Sequence, residues 1–188
     1  MKKTFIILIT AIIIAACSGY EYEAQLAQVD SLITKDLDDS ARTELDRIDI
    51  NKGNKNDRAY YDLLTAELVF RSGAITKNDS LLDLCIKRFE KNGDKHKLAQ
   101  AYYFKGRMMY KRNEVKEAIM MLKEAEHTAK DIDDNWLKAR IYTSLASFNS
   151  RKGEFRFALG YCKKAVKYAE KSDYIYALSD AYHVISVI

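Results

Sequence analysis

Asp131-Ile132-Asp133-Asp134-Asn135 places side-chain oxygens at alternate positions, as the opening of a calcium-binding loop does. Such a loop then needs glycine at its sixth place and glutamate at its twelfth. Trp136 and Tyr142 stand there instead, so the run reads as N-cap material for a helix beginning near Trp136. The histidines His96, His127 and His183 have no second histidine or cysteine four residues on, the spacing that puts two ligands on one helical face. No serine or cysteine lies in a glycine-flanked elbow, and no glycine loop could cradle a phosphate. No catalytic residue, metal or cofactor is expected. The chemistry to look for is recognition.

The cysteines divide into one at the N-terminus and two in the body. Residues 1–16 open with Lys2 and Lys3, continue in an apolar run from Phe5 to Ala16 broken only by Thr10, and end in small residues. The run is shorter than the roughly 20 apolar residues that span a bilayer, and its layout is that of a secretory signal. Ile14-Ala15-Ala16-Cys17, followed by Ser18-Gly19, resembles the bacterial lipobox. That resemblance implies cleavage before Cys17, acylation of its sulfur and of the new amine, and stable anchoring through several chains. Ser18 resembles the residue that follows the cysteine in lipoproteins sent to the outer membrane. Cys85 and Cys162, with no close spacing, read as small buried hydrophobes rather than a disulfide.

These residues need a frame. Among 188 residues, 48% are hydrophobic and 31% charged, a composition that folds. Proline is absent and glycine occurs seven times, which favours long helices joined by short polar turns over sheet-rich or α/β architectures. The formal charge of +4 falls to +2 once Lys2 and Lys3 are removed, too little to argue for nucleic acid.

The stretch from Ala99 to Lys130 matches the one from Ala139 to Lys171 at a spacing of forty, with Gly106 on Ala146, Ala118 on Ala158, Ala125 on Ala165 and Ala129 on Ala169. Ala59, Ala99, Ala139 and Ser179 share this register, and Gly73, Asn113 and Gly153 mark a hairpin turn in each copy. Glu21 to Ile50 reads as a divergent first hairpin, with N-caps in Asp38-Asp39-Ser40 for a second helix carrying Leu45 and Ile48, and Asn51 to Asp57 reads as a loop. The first clear copy departs after Gly73, and its second helix is expected from Asp79-Ser80. The organisation is therefore a signal segment over 1–16, an N-terminal hairpin over 17–56, and an array over 57–188.

Tyr102, Gly106, Met109, Ala118, Leu122 and Ala125, then Tyr142, Ala146, Asn149, Ala158, Cys162 and Ala165, resemble the diagnostic places of tetratricopeptide repeats. Asn149 and the missing proline near each repeat end depart from that pattern. The resemblance implies an all-α, right-handed superhelical solenoid of antiparallel helical hairpins. Phe104, Met108, Ile119 and Leu122, with Leu145, Phe148, Phe155 and Leu159, are the expected stacking core.

By the same resemblance the first helices line a concave groove that takes a protein or peptide. Carried over place by place, its main lining is Tyr60, Tyr103, Arg107, Tyr110, Lys111, Arg140 and Arg151, with Leu63, Glu67, Arg71, Gln100, Thr143, Ser147 and His183 around them. Tyrosines give contact area at low entropic cost and arginines reach carboxylates with two bonds, so an extended acidic peptide is the expected ligand. The competing reading is the solvated face of amphipathic helices. Arg107→Glu with Arg151→Glu is expected to leave folding intact and weaken an acidic ligand.

The stretches from Ser40 to Gly73 and from Asn78 to Tyr110 are similar to the N-terminal sensory half of bacterial envelope regulators built on these repeats. That implies a lipid-anchored, periplasm-facing sensor. The alternative is a complete adaptor lipoprotein for envelope assembly. Val184, Ile185, Val187 and Ile188 lie in a first helix of the register, expected to continue in a longer chain rather than to fold back as a cap.

Overall fold

The computed structural model describes residues 22–74, 80–172 and 175–187. Every regular element among them is helical. The signal segment, Cys17, Asp79 and Ile188 lie outside the described residues. The chain divides into two compact units, one ending at Gly73 and the other beginning at Ala74.

In the first unit, α1 spans 22–34, α2 Asp38–Asp46 and α3 Lys55–Arg71, with a 3-10 turn at Ile50–Lys52. Leu26, Val29 and Ile33 recur at helical spacing and bury against Ala41, Leu45, Tyr60, Leu64 and Leu68. Asp36, in left-handed geometry at φ 59°, ends α1. Arg71 at the end of α3 closes the unit, its Nε 2.7 Å from Asp38 and its Nη2 2.5 Å from Asp36.

Two expectations change here. Asp38, Asp39 and Ser40 do not cap α2 but lie in its first turn, where the acids meet the positive end of the helix dipole; the N-cap is Leu37, with no side-chain bond. Ile48 falls beyond the helix and packs half-buried on the core. The polar stretch from Asn51 is also mostly structured. Asn54 caps α3 by accepting from the backbone of Asn56 and Asp57, and Asp57 accepts in return from the Asn54 backbone at 2.9 Å.

The second unit packs its helices consecutively: α4 (Ser80–Asn92), α5 (Lys95–Lys111), α6 (Val115–Thr128), α7 (Asn135–Arg151), α8 (Phe155–Ser172) and α9 (Ile175–Val187). In addition α7 touches both α5 and α9. Small residues allow the pairing. A Cβ built on Gly106 would stand 3.0 Å from the Ala118 carbonyl oxygen and 3.1 Å from Leu122 Cγ. Ala118, Ala125, Ala158, Cys162, Ala165 and Ala169 are all fully buried. Ala146, Ala158 and Cys162 form one cluster with Val184 of α9. Cys85 and Cys162 are free buried thiols, and burial pushes the Cys162 thiol up.

The hairpin turns share one backbone geometry at their left-handed residue, and the second and third also share a hydrogen bond. Gly73, Asn113 and Gly153 have φ of 84°, 67° and 81°. Glu114 N–H donates to Met109 O at 3.0 Å and Glu154 N–H to Asn149 O at 2.9 Å, the six-to-one bond of a Schellman motif. The helix starts repeat as well. Asn54, Asp94 and Asp134, spaced by forty, cap α3, α5 and α7.

Of the residues expected in the core, Phe104, Met108, Leu122, Leu145 and Phe148 are buried and Ile119 is half-buried. The expectation fails for Phe155 and Leu159, which are 47% and 38% exposed. Apolarity marks them for burial, but no described helix covers that part of α8. No helix among the described residues is long and apolar enough to cross a membrane.

Candidate recognition face on α5 and α7

Residues four apart on a helix share a face. On α5 this sets Tyr103, Arg107 and Lys111 in a row beside Tyr110; on α7 it sets Trp136, Arg140 and Ser144 in a row, then Phe148. The structure interlocks the two rows. Arg107 donates to Tyr103 Oη at 3.2 Å and to Ser144 Oγ at 3.0 Å, bridging the helices. Arg140, buried, lies with its guanidinium carbon 4.0 Å from the Trp136 ring centroid, 4.7 Å from that of Tyr103 and 5.1 Å from that of Phe104. Such stacking suits the weakly hydrated, planar guanidinium. Tyr110 stacks on Phe148 at 3.6 Å between centroids, and Arg151, exposed, sits 5.2 Å above the Tyr110 ring.

The electrostatics follow from this crowding. Burial pushes the Tyr103 phenol up, but the charges of Arg107 and then Arg140 outweigh it and hold the group below its usual range. Burial raises the Tyr110 phenol, a rise reduced by Arg151 and Ser147. Lys111 is lowered, first by burial and then by the charge of Arg107. Tyr110 Oη and Thr143 Oγ1 are shielded from solvent and make no hydrogen bond of normal geometry within the described residues.

Of the groove residues named from the sequence, Tyr103, Arg107 and Arg140 form one set of contacts and Tyr110 and Arg151 a second, with Lys111 one turn after Arg107. Tyr60 belongs to the first unit, where it is buried and its hydroxyl donates to Asp30 at 2.9 Å. Leu63, Glu67, Gln100 and Thr143 are buried, Ser147 is half-buried, and His183 is exposed. Arg71 is engaged with Asp36 and Asp38.

The competing picture of a simply solvated face does not describe Tyr103 and Arg140, which are packed. Arg107 is half-buried as well, and its bonds to Tyr103 and Ser144 tie it to the core. A charge reversal there would not be silent for folding, contrary to the expectation from sequence. Sequence reasoning missed Trp136 and Ser144. The signal was present, since they stand four residues before and after Arg140.

The acidic run beginning at Asp131 resolves as a cap. Asp134 Oδ1 accepts from Leu137 N–H at 2.8 Å, and Oδ2 lies 2.8 Å from His96 Nε2. Burial works to raise the Asp134 carboxyl, but the bonds from His96 and Leu137 win and lower it. Among the described residues no group of three or more His, Cys, Asp or Glu side chains could hold a metal ion.

No known protein family, no curated protein and no solved structure matches this chain.

Proposed function

We propose that this chain is a lipid-anchored binding scaffold of tetratricopeptide type on the periplasmic side of a bacterial membrane, and that it takes an extended acidic peptide or protein segment along α5 and α7. The observation that carries the reading is the recurrence, at a spacing of forty, of the helix caps Asn54, Asp94 and Asp134 and of the left-handed turns Gly73, Asn113 and Gly153. The contacts of α7 with both α5 and α9 also fit hairpins stacked in one direction. The half-buried Lys111 and the exposed Arg151, the latter set over the Tyr110 ring, suit carboxylate recognition.

The test is fluorescence anisotropy with a labelled oligoglutamate peptide and its glutamine counterpart. The glutamate peptide should bind more tightly, and Lys111→Glu with Arg151→Glu should abolish the difference. Equal binding of the two peptides sinks the reading.

Within this class we favour the sensory part of an envelope regulator, on the similarity of residues 40–73 and 78–110. The intact mass of the native protein from its host's membranes decides the finer point. The chain from Cys17 plus acyl groups and nothing more points to an adaptor lipoprotein, a much larger mass to a regulator, and an unacylated soluble product removes the anchor.

A further inference from the structure

A second set of polar groups gathers where α6, α7 and α8 meet, and it shares no residue with the α5–α7 face. A cleft of about 410 Å³ is lined by Lys123, Glu126, His127, Lys130, Tyr142 and Lys164. A smaller cleft shares Glu126, Lys130 and Tyr142 with it and adds Lys138 and Tyr168.

Glu126 organises the site. Its carboxylate pairs with Lys123 on its own helix and with Lys164 of α8, the latter at 3.0 Å, so one acid holds two ammonium groups side by side. Both ion pairs keep the Glu126 carboxyl low against the burial that would raise it. The rings fix the lysines from the other side. Tyr142 stacks with Tyr161 and Tyr168 at 6.2 and 5.5 Å between centroids, and Lys164 Nζ lies 4.9 Å from the Tyr142 centroid. Lys123 donates to Tyr161 Oη at 3.2 Å, and Lys138 donates to the Lys130 carbonyl at 3.1 Å.

The charges of the main cleft do not cancel. Its lining carries three lysines and one carboxylate, a surplus of two positive charges before His127 is counted. Each ammonium has three donors; Glu126 and Tyr161 take two on Lys123, and Glu126 takes one on Lys164. The cations are all lysine, compact point charges suited to a tetrahedral oxyanion; arginine, whose planar fork matches a carboxylate, is absent from the lining. A phosphomonoester carries close to two negative charges at neutral pH, which matches the surplus. The cleft is also larger than a bare phosphate ion needs and falls in the size range of small-molecule sites.

We propose that this cleft binds the phosphoryl group of a phosphomonoester, with Lys123, Lys130 and Lys164 as its donors and Glu126 as the residue that sets two of them in place. The rest of the ligand lies against the edge of the tyrosine stack. The group can come from a soluble sugar phosphate or from a phosphomonoester lipid headgroup, and the chemistry of capture is the same.

The test uses the full chain purified in detergent. Calorimetry with glucose 6-phosphate, with glucose as its uncharged control, reports the soluble source. Flotation with phosphatidylcholine vesicles, with and without phosphatidic acid, reports the lipid source. Binding to either phosphorylated probe, weakened at least tenfold in Lys130→Gln/Lys164→Gln and unchanged in Lys116→Gln on the exposed side of α6, is the expected result. Absence of binding to both probes overturns the proposal, as does equal loss in Lys116→Gln. Equal affinity for an oligoglutamate peptide at this cleft, read as competition with glucose 6-phosphate, also overturns it. None of these results bears on Lys111 and Arg151, so the cleft and the α5–α7 face stand or fall separately.

Discussion

His96 on α5 reaches the carboxylate that caps α7, with Nε2 2.8 Å from Asp134 Oδ2. One aspartate thus starts a helix and ties it to the helix two places earlier in the chain. Asp134→Ala removes both roles and should cost about 1 kcal/mol or more. Asp134→Asn keeps the cap and loses only the charge, so it should cost less. Urea denaturation of the two variants separates the cap from the tie. The pH dependence has a definite sign. Because the folded carboxyl is lowered, its contribution is complete above the ordinary aspartate range and disappears as pH falls through the depressed folded value. The gap in stability between wild type and Asp134→Asn should therefore shrink in acid.

Gly106 leaves no room for a side chain against α6, where the nearest obstacle is the backbone oxygen of Ala118. Gly106→Leu and Ala158→Leu should each lower stability by about 1–3 kcal/mol through overpacking. Gly106→Ala should also destabilise, despite alanine's higher helix propensity, because a carbonyl cannot rotate away as a side chain can. Chemical denaturation midpoints check all three. Unchanged midpoints in all of them would falsify the helix pairing.

Asn113 occupies the left-handed position that glycine holds at 73 and 153. Asn113→Gly should be close to neutral, whereas Gly153→Ala and Asn113→Ala should each cost roughly 1 kcal/mol for placing a Cβ in that geometry. The comparison of Asn113→Gly with Asn113→Ala is a measurement of backbone strain alone, since the side chain is exposed.

Arg107 joins Tyr103 to Ser144 through one guanidinium nitrogen. Arg107→Glu should lower the thermal midpoint by several degrees, while Arg151→Glu, at an exposed site, should leave it nearly unchanged. Circular dichroism melts distinguish the two. Only the second substitution is therefore suited to a binding assay.

The helical character of the chain was legible from period and composition, and the turns from Gly73, Asn113 and Gly153, because these features are local and the same signal recurs. The caps Asn54, Asp94 and Asp134 are equally local, each a short polar side chain just before a helix, but a single cap residue carries no period of its own. Burial was harder to read. Phe155 and Leu159 stand forty residues after Val115 and Ile119, which are half-buried, and yet are exposed themselves. Which neighbour covers a stripe is not written in the stripe. The same holds for Arg140, whose charge suggested solvent but whose flat guanidinium lies among three rings. The lysine cleft drew on α6, α7 and α8, and no periodicity within one helix announces it.

The recurring turn bears on how such a chain can change in length. Cutting out residues 114–153 would join Asn113 to Glu154, a left-handed residue followed by the same glutamate that closes both Schellman turns. The junction would keep the Asn-Glu pair of the earlier turn and lead into the helix of the later one. Hairpins bounded in this way behave as interchangeable modules, so unequal recombination between copies can shorten or extend the protein by whole units without creating a loop that selection has never seen.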